Sequence, residues 1–393
     1  MNIVVSGIWD FRISSLGAQA LSDGLLLKLH TLYPDASIGT LGPTSLPLVR
    51  WLIRAADGHP SLYAACFQLI YLAYRFIKRN RNRTIGQADV LIISGDGLVA
   101  DIFATSTVMF ACEIRYAIEQ DIPVISLNQS VNTTPGSLAH HCVTHWYMAA
   151  PLSVREIDSQ RELSRFFPNR EIPLAIDAAF LCPPPTSEES DRFHRALDSI
   201  KRELGINRYV LVGIRANRPS DQHIDEDAWC AVLELVAEAF PEHAILLAST
   251  CAEYDIALAR RLAQRVDSAV VAEQLIDWTT YNYRFFQVLL REAAACISDR
   301  YHQNVLAVLN GTPFIPVAGN TSKTGGIRDL VGWPIPIQDL PATDNLEGYR
   351  EALTYLVHNY PKLKDYLKEE APPAIAEHDR YREILKDVID GAK

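Results

Sequence analysis

The chain has 393 residues, of which 48% are hydrophobic and 21% charged, and its formal net charge is −10. That length favours two domains over a single core, and that composition excludes a disordered chain. The acidic balance argues against a nucleic-acid partner and requires any site for a small anion to be a local basic cluster.

The N-terminal MNIVVSG reads as a strand, not as a secretory leader. Short apolar runs at Asn2–Ser6, Ala36–Leu41, Asp89–Ser94 and Pro123–Asn128 read as buried strands, with helical stretches at Gly17–Tyr33, Leu62–Arg79 and Ser106–Gln120 between them. Such alternation predicts a parallel sheet covered on both faces. The proline run Cys182–Ser187 cannot continue a helix or a central strand, so the interdomain linker is placed there. Alternation resumes with strands at Tyr209–Ile214, Ala244–Ala248, Ser268–Ala272, Ala293–Ile297 and Phe314–Val317, and a helix over Asp227–Phe240. From Leu346 the chain is charged and amphipathic, hence helical. The expected organisation is an N-terminal domain over 1–182, a linker and helix over 183–207, a C-terminal domain over 208–345 and a helical tail over 346–393.

Seven scattered cysteines with no Cys-x-x-Cys pair fit a reducing cytoplasm better than a disulfide framework or structural zinc. The expected location is cytoplasmic. Leu62–Ile77, followed by Lys78, Arg79, Arg81 and Arg83, carries two readings. It is either an apolar helix packed on the sheet with a solvated basic end, or a peripheral contact with an anionic membrane face through 62–83.

In open parallel sheets ligands bind beyond the carboxyl ends of the strands, so residues just after each strand carry the candidate sites. The richest stretch is Ser298-Asp299-Arg300-Tyr301-His302, between a strand and a helix expected over Gln303–Leu309. Arginine and histidine at a helix start combine fixed charge, a titratable proton and free backbone N–H groups. Lys323 follows the next strand on the same edge. As an anion ligand Arg300 is expected to be an exposed strand-end arginine; the structural alternatives are an Arg300 paired with Asp299 or a C-terminal carboxylate and a helix-capping His302. Arg215 and Arg218 follow the strand that opens the second domain, as anion ligands or as solvated loop residues. In the first domain Gly95, Asp96 and Gly97 form a glycine loop, with Asp96 either a base for a sugar hydroxyl or a loop-holding turn residue. Gln129 ends a strand there, and Arg155 begins a helix with Glu156, either pairing with it or facing the cleft.

Residues 294–333 in order (strand, Arg300-Tyr301-His302, alanine-bearing helix, Gly311-Thr312-Pro313-Phe314, strand, Lys323 loop) resemble the signature of the polysaccharide pyruvyltransferase family. So do Val90–Leu98, Ile122–Val131, Val154-Arg155-Glu156 with Ser159, and Asp177-Ala178-Ala179-Phe180. One stretch departs: Ser15-Leu16-Gly17-Ala18 stands where many members carry Asn-x-Gly-Asp, keeping the glycine and losing the acid. The resemblance implies two Rossmann-like domains facing a cleft, in the glycosyltransferase-B manner, with C-terminal helices. It implies transfer of a pyruvyl group from phosphoenolpyruvate to a sugar, nucleotide-sugar or lipid-linked glycan as a ketal, in cell-surface polysaccharide biosynthesis, with no metal and no cofactor beyond that co-substrate. Arg300, Tyr301, Arg215, Arg218 and Lys323 would then bind the donor, His302 and Asp96 would act as acid and base, and Gly95, Gly97, Gln129 and Arg155 would line the acceptor side. The alternatives are a nucleotide-sugar-dependent glycosyltransferase of similar architecture and a non-catalytic sugar- or anion-binding protein.

Overall fold

The structure, a computed structural model, describes residues 1–8, 15–56, 59–94, 99–216, 224–277, 279–319, 323–342 and 344–390. The first half runs β1 (Asn2–Ser6), α1 (Leu16–Leu32), β2 (Ser37–Leu41), α2 (Pro47–Ala56), α3 (Tyr63–Ile77), α4 (Arg79–Gly86), β3 (Val90–Ser94), β4 (Val99–Ala100), α5 (Ala104–Glu119), β5 (Val124–Gln129), β6 (Val131–Asn132), α6 (Leu138–His145), β7 (Leu152–Val154) and α7 (Ile157–Phe166). The second half runs α8 (Ser187–Leu204), β8 (Tyr209–Gly213), α9 (Glu226–Ala239), β9 (Ala244–Leu247), α10 (Ala252–Ala263), β10 (Ala269–Val271), α11 (Tyr283–Glu292), β11 (Cys296–Ser298), α12 (Tyr301–Leu309), β12 (Phe314–Pro316) and α13 (Lys323–Val331). Helices α14 (Leu346–His358), α15 (Tyr360–Glu369), α16 (Ala371–Glu377) and α17 (Tyr381–Asp390) end the chain.

Two compact units result. The first comprises residues 1–10, 26–177 and 378–393, and the second residues 11–25 and 178–377. The division passes through α1, so the amino-terminal part of that helix clusters with the second unit.

In the first unit a five-stranded sheet has the order β2-β1-β3-β5-β7, with every pairing parallel. Strands β3 and β5 are buried along their whole length. This is why they read as continuous apolar runs instead of alternating ones. A core of Phe67, Tyr71, Tyr74, Phe110 and Tyr147 packs the helices on the sheet. The last helix belongs to this unit: Tyr381 Oη lies 2.6 Å from Asn128 Oδ1, and the Ile176 N–H donates to the His378 carbonyl at 2.8 Å.

In the second unit the sheet order is β10-β9-β8-β11-β12, again parallel throughout. Helix α8 starts on a reciprocal cap between Thr186 and Glu189 and stops at Gly205, whose φ of 67° suits a residue without Cβ. Helix α14 packs on α9, and α16 packs on α13. Buried Trp229, Tyr209, Phe285 and Phe286 fill the space around the sheet.

Two boundaries differ from the sequence pattern in ways that matter. The expected helix over Leu62–Arg79 breaks at Lys78, where φ −97° and ψ 38° leave the helical region, and the basic run forms its own helix, α4. Helix α12 begins at Tyr301, two residues earlier than expected, with Arg300 in extended backbone at its N-cap. Tyr301 and His302 therefore sit in the first helical turn.

Candidate functional site

The order of the second sheet creates one crevice. The chain leaves β8 for β9 and β10 on one side, then returns to β11 and β12 on the other. The loops that follow β8 and β11 diverge, so the carboxyl ends of these two strands border a topological switch point. Gly213 and Ser298 are register partners there, and the Ser298 hydroxyl donates to the Gly213 carbonyl at 3.0 Å. Gly213 lacks a side chain for a steric reason: an added Cβ would lie 2.2 Å from Gln303 Oε1.

Two arginines and two carboxylates occupy the crevice edge. The Arg215 backbone N–H donates to both Asp299 carboxylate oxygens, at 2.9 and 3.2 Å. Arg300 donates from Nε and Nη2 to the two oxygens of Asp255, at 2.9 and 2.5 Å. Asp255 also accepts from the Ala216 N–H at 2.9 Å and from the Ser249 hydroxyl. Arg300 is only 7% exposed, which corrects the expectation of an exposed strand-end arginine. Among the described residues its hydrogen-bonded ion-pair partner is Asp255. Burial opposes the Arg300 charge, but Cys251, Asp255 and Asp299 together outweigh it and hold the guanidinium above its ordinary pKa.

Arg215 is placed differently. Burial first, and then repulsion from Arg300, push its pKa below the usual arginine value. Its Nε is shielded from solvent and has no hydrogen-bond partner among the described residues. A buried guanidinium donor without an acceptor costs free energy that a bound anion would recover.

His302 packs on the first turn of α1. A Cβ added at Gly17 would lie 2.3 Å from His302 Cγ and from Nδ1, so the imidazole fills the space that a side chain would need. The Leu16 N–H donates to the Thr250 carbonyl at 2.9 Å, anchoring the same turn to the loop after β9. The amino-terminal turns of α1, α10 and α12 therefore gather at this strand edge, and helix N-termini favour negative charge. Tyr301 is buried and presents its ring to His302 edge-on, with centroids 5.1 Å apart. Beside the Asp255 carboxylate lies an apolar recess lined by Val212, Ile214, Leu247, Ala252 and Ile256. Lys323 opens α13 on the same edge of the sheet, beyond β12.

Gln129 and Arg155 belong to the first unit. Gln129 is fully buried in the first unit, where its Nε2 donates to the Ile93 and Leu127 carbonyls. Arg155, expected on the acceptor side, is 2% exposed and is engaged by Asp177, Glu156 and the Ser130 hydroxyl. It ties the ends of β5 and β7 together and does not face solvent. Gly95, Asp96, Gly97 and Arg218 lie outside the described residues. Sequence reasoning missed Asp255 and Ser249. Asp255 carries no distinguishing signal in the sequence; the small-residue run Ser249–Ala252 after β9 is the one local feature that could have pointed to a close-packed loop there.

The sequence pattern of the polysaccharide pyruvyl transferase family matches residues 16–321. No curated protein sequence matches the chain. Among solved structures, a UDP-GlcNAc 2-epimerase from Neisseria meningitidis is similar over 100% of both chains, at 11% identity and a TM-score of 0.57. The S. aureus MnaA–UDP complex is similar over 98% of this chain and 97% of that one, at 11% identity and TM-score 0.54. Os79 from O. sativa, in complex with U2F and trichothecene, is similar over 99% of each, at 8% identity and TM-score 0.52. At these identities the likeness concerns the fold: two α/β units with parallel sheets and C-terminal helices.

Proposed function

Because the chain belongs to the polysaccharide pyruvyl transferase family, and is therefore a transferase, we propose that it moves the pyruvyl group of phosphoenolpyruvate onto a sugar as a cyclic ketal, with the Arg215–Arg300–His302 crevice as donor site. The observation that supports the donor assignment is the buried Nε of Arg215, which has no hydrogen-bond partner among the described residues, beside a second guanidinium. Phosphoenolpyruvate brings a phosphate and a carboxylate, and planar guanidinium forks suit both. Arg300 is held in place by Asp255 through Nε and Nη2, which leaves Nη1 for the donor. Lys323 adds a point charge from the start of α13.

The chemistry needs one proton in and two hydroxyls added. His302 delivers a proton to the methylene carbon of the enol, so that C2 becomes electrophilic. A sugar hydroxyl attacks C2 and loses its proton to a base, for which Asp96 is the proposed group. A second hydroxyl of the same sugar then takes the place of the phosphate at C2. The products are the ketal and inorganic phosphate, and the proton of the second hydroxyl leaves with the phosphate. The acceptor is a sugar carried on a nucleotide, a lipid or a growing polymer of the cell surface.

His302→Gln tests the role of the acid, since glutamine keeps a hydrogen bond but delivers no proton near neutrality. Turnover should fall by roughly two to four orders of magnitude while the donor KM stays within a few-fold. The wild-type profile should lose activity as pH rises through the His302 pKa, and the variant should lack that limb. Normal turnover at saturation with a raised KM would make His302 a binding residue. Binding of UDP-sugars with no phosphoenolpyruvate dependence would favour the glycosyltransferase reading.

A further inference from the structure

We infer that the outer face of α2 and α3 docks on the surface of an anionic lipid bilayer. The two helices pack against each other in the first unit. The inner side of α3 buries Tyr63, Cys66, Phe67, Ile70, Tyr71 and Tyr74. Its outer side is apolar as well: Leu62, Leu69, Leu72, Phe76 and Ile77 are between 45% and 69% exposed. The spacing of Leu62, Leu69, Leu72 and Phe76 keeps them on one stripe of the helix. On α2, Leu48 and Trp51 are 42% and 66% exposed, one turn apart. Scattered exposed apolar residues are ordinary, but a continuous stripe of large ones marks an interaction face.

Charge identifies the occupant. Residues 43–88 hold seven basic side chains and one acidic one, in a chain whose net charge is −10. Arg50 and Arg54 are exposed on α2 and Arg79 and Arg83 on α4, and the Arg79 guanidinium sits 4.5 Å from the centre of the Phe76 ring. Arg81 is not part of this exposed set. It is turned inward, donating to Glu113, to the Gly42 carbonyl and to the Ser6 hydroxyl. The basic run is thus divided between an inward anchor and an outward rim, a correction to its reading as one solvated block.

An apolar ridge with a cationic border matches the headgroup boundary of an anionic leaflet. A second copy of the chain matches it poorly, because a two-fold contact would set the same basic border against itself. At 15 residues α3 spans roughly 22 Å at 1.5 Å per residue, short of a ~30 Å hydrocarbon core. No helix among the described residues is long and apolar enough to cross a membrane. The helix would therefore lie in the interface plane.

Vesicle flotation of the full chain tests this without reference to the transfer reaction. Three proteins are compared: wild type, Leu69→Ser/Leu72→Ser/Phe76→Ser, and Arg79→Glu/Arg83→Glu. Each is mixed with phosphatidylcholine vesicles lacking or containing phosphatidylglycerol, at low and high salt. The wild type should float only with the anionic vesicles and release as salt rises. The charge variant should partition at least roughly tenfold less, at about fivefold per lost basic residue. The serine variant should not float with either vesicle. All five positions of substitution are on the surface, so unchanged thermal unfolding midpoints check the fold. Equal flotation by wild type and both variants overturns the proposal. So does self-association of the wild type that the serine variant loses, which would make the face a dimer contact. Retention on polyglutamate with no vesicle binding would assign it to an acidic protein instead.

Discussion

Gly17→Ala is the sharpest test of how α1 serves the crevice. The added methyl would lie 2.3 Å from two atoms of the His302 ring, whereas ordinary contacts fall at 3.4–4 Å. The imidazole or the helix must therefore retreat by about 1 Å or more. Misplacing a catalytic group by that distance costs roughly 100-fold in rate. The folding cost is smaller. Alanine regains about 0.5–1 kcal/mol of helix propensity, and overpacking takes back about 1–3 kcal/mol, so the protein stays folded. Phosphate release at saturating phosphoenolpyruvate should show turnover down about 100-fold, with donor KM little changed. In a His302→Gln background the same substitution should add far less, because the group it displaces is already gone. Wild-type turnover in Gly17→Ala, or an undiminished further loss in the His302→Gln background, would refute the reasoning.

Arg300→Ala should both weaken donor binding and destabilise the second unit by about 3–5 kcal/mol, since it strands the buried Asp255 carboxylate; chemical denaturation reads the second effect. Arg215→Ala should raise the donor dissociation constant by an order of magnitude or more with little change in stability, because its Nε has no hydrogen-bond partner among the described residues; calorimetric titration with phosphoenolpyruvate checks it. Gly24→Ala, two turns along the same face of the helix from Gly17, would press a methyl to 1.9 Å from the Ala178 carbonyl oxygen. It should lower the unfolding midpoint while leaving the turnover of the folded fraction intact. The His141 imidazole is driven down to about 4 by burial and by His145 and His140. The unfolded chain binds that proton more readily, so the stability held above pH ~6.5 is lost as pH falls toward 4. His141→Gln should flatten that part of a stability-against-pH curve.

Much of the fold was legible because parallel strands buried on both faces leave uninterrupted apolar runs, as at β3, β5 and β8. Boundaries were less so: at α12 the sequence places polar residues on both sides of the helix start, and only the fold decides that Tyr301 and His302 are helical. The crevice was found from its strand-end arginine and histidine. Its wiring was not, because Arg300 and Asp255 are 45 positions apart and meet through sheet order alone. Gly17 could be seen to persist beside a missing acid, but its reason, the His302 ring lying against it, exists only in three dimensions. Arg155 shows the opposite failure. An arginine at a strand end looks the same in sequence whether it faces a ligand or, as here, a buried Asp177.

The most direct measurement of the central claim uses phosphoenolpyruvate labelled with carbon-13 at C2 and a panel of sugar acceptors, followed by carbon NMR together with phosphate release. The account predicts a new ketal carbon resonance on one acceptor, appearing in step with inorganic phosphate and lost in Arg215→Ala at sub-saturating donor. Phosphate release without a ketal, or no consumption of phosphoenolpyruvate with any acceptor while a nucleotide sugar is turned over, would contradict it.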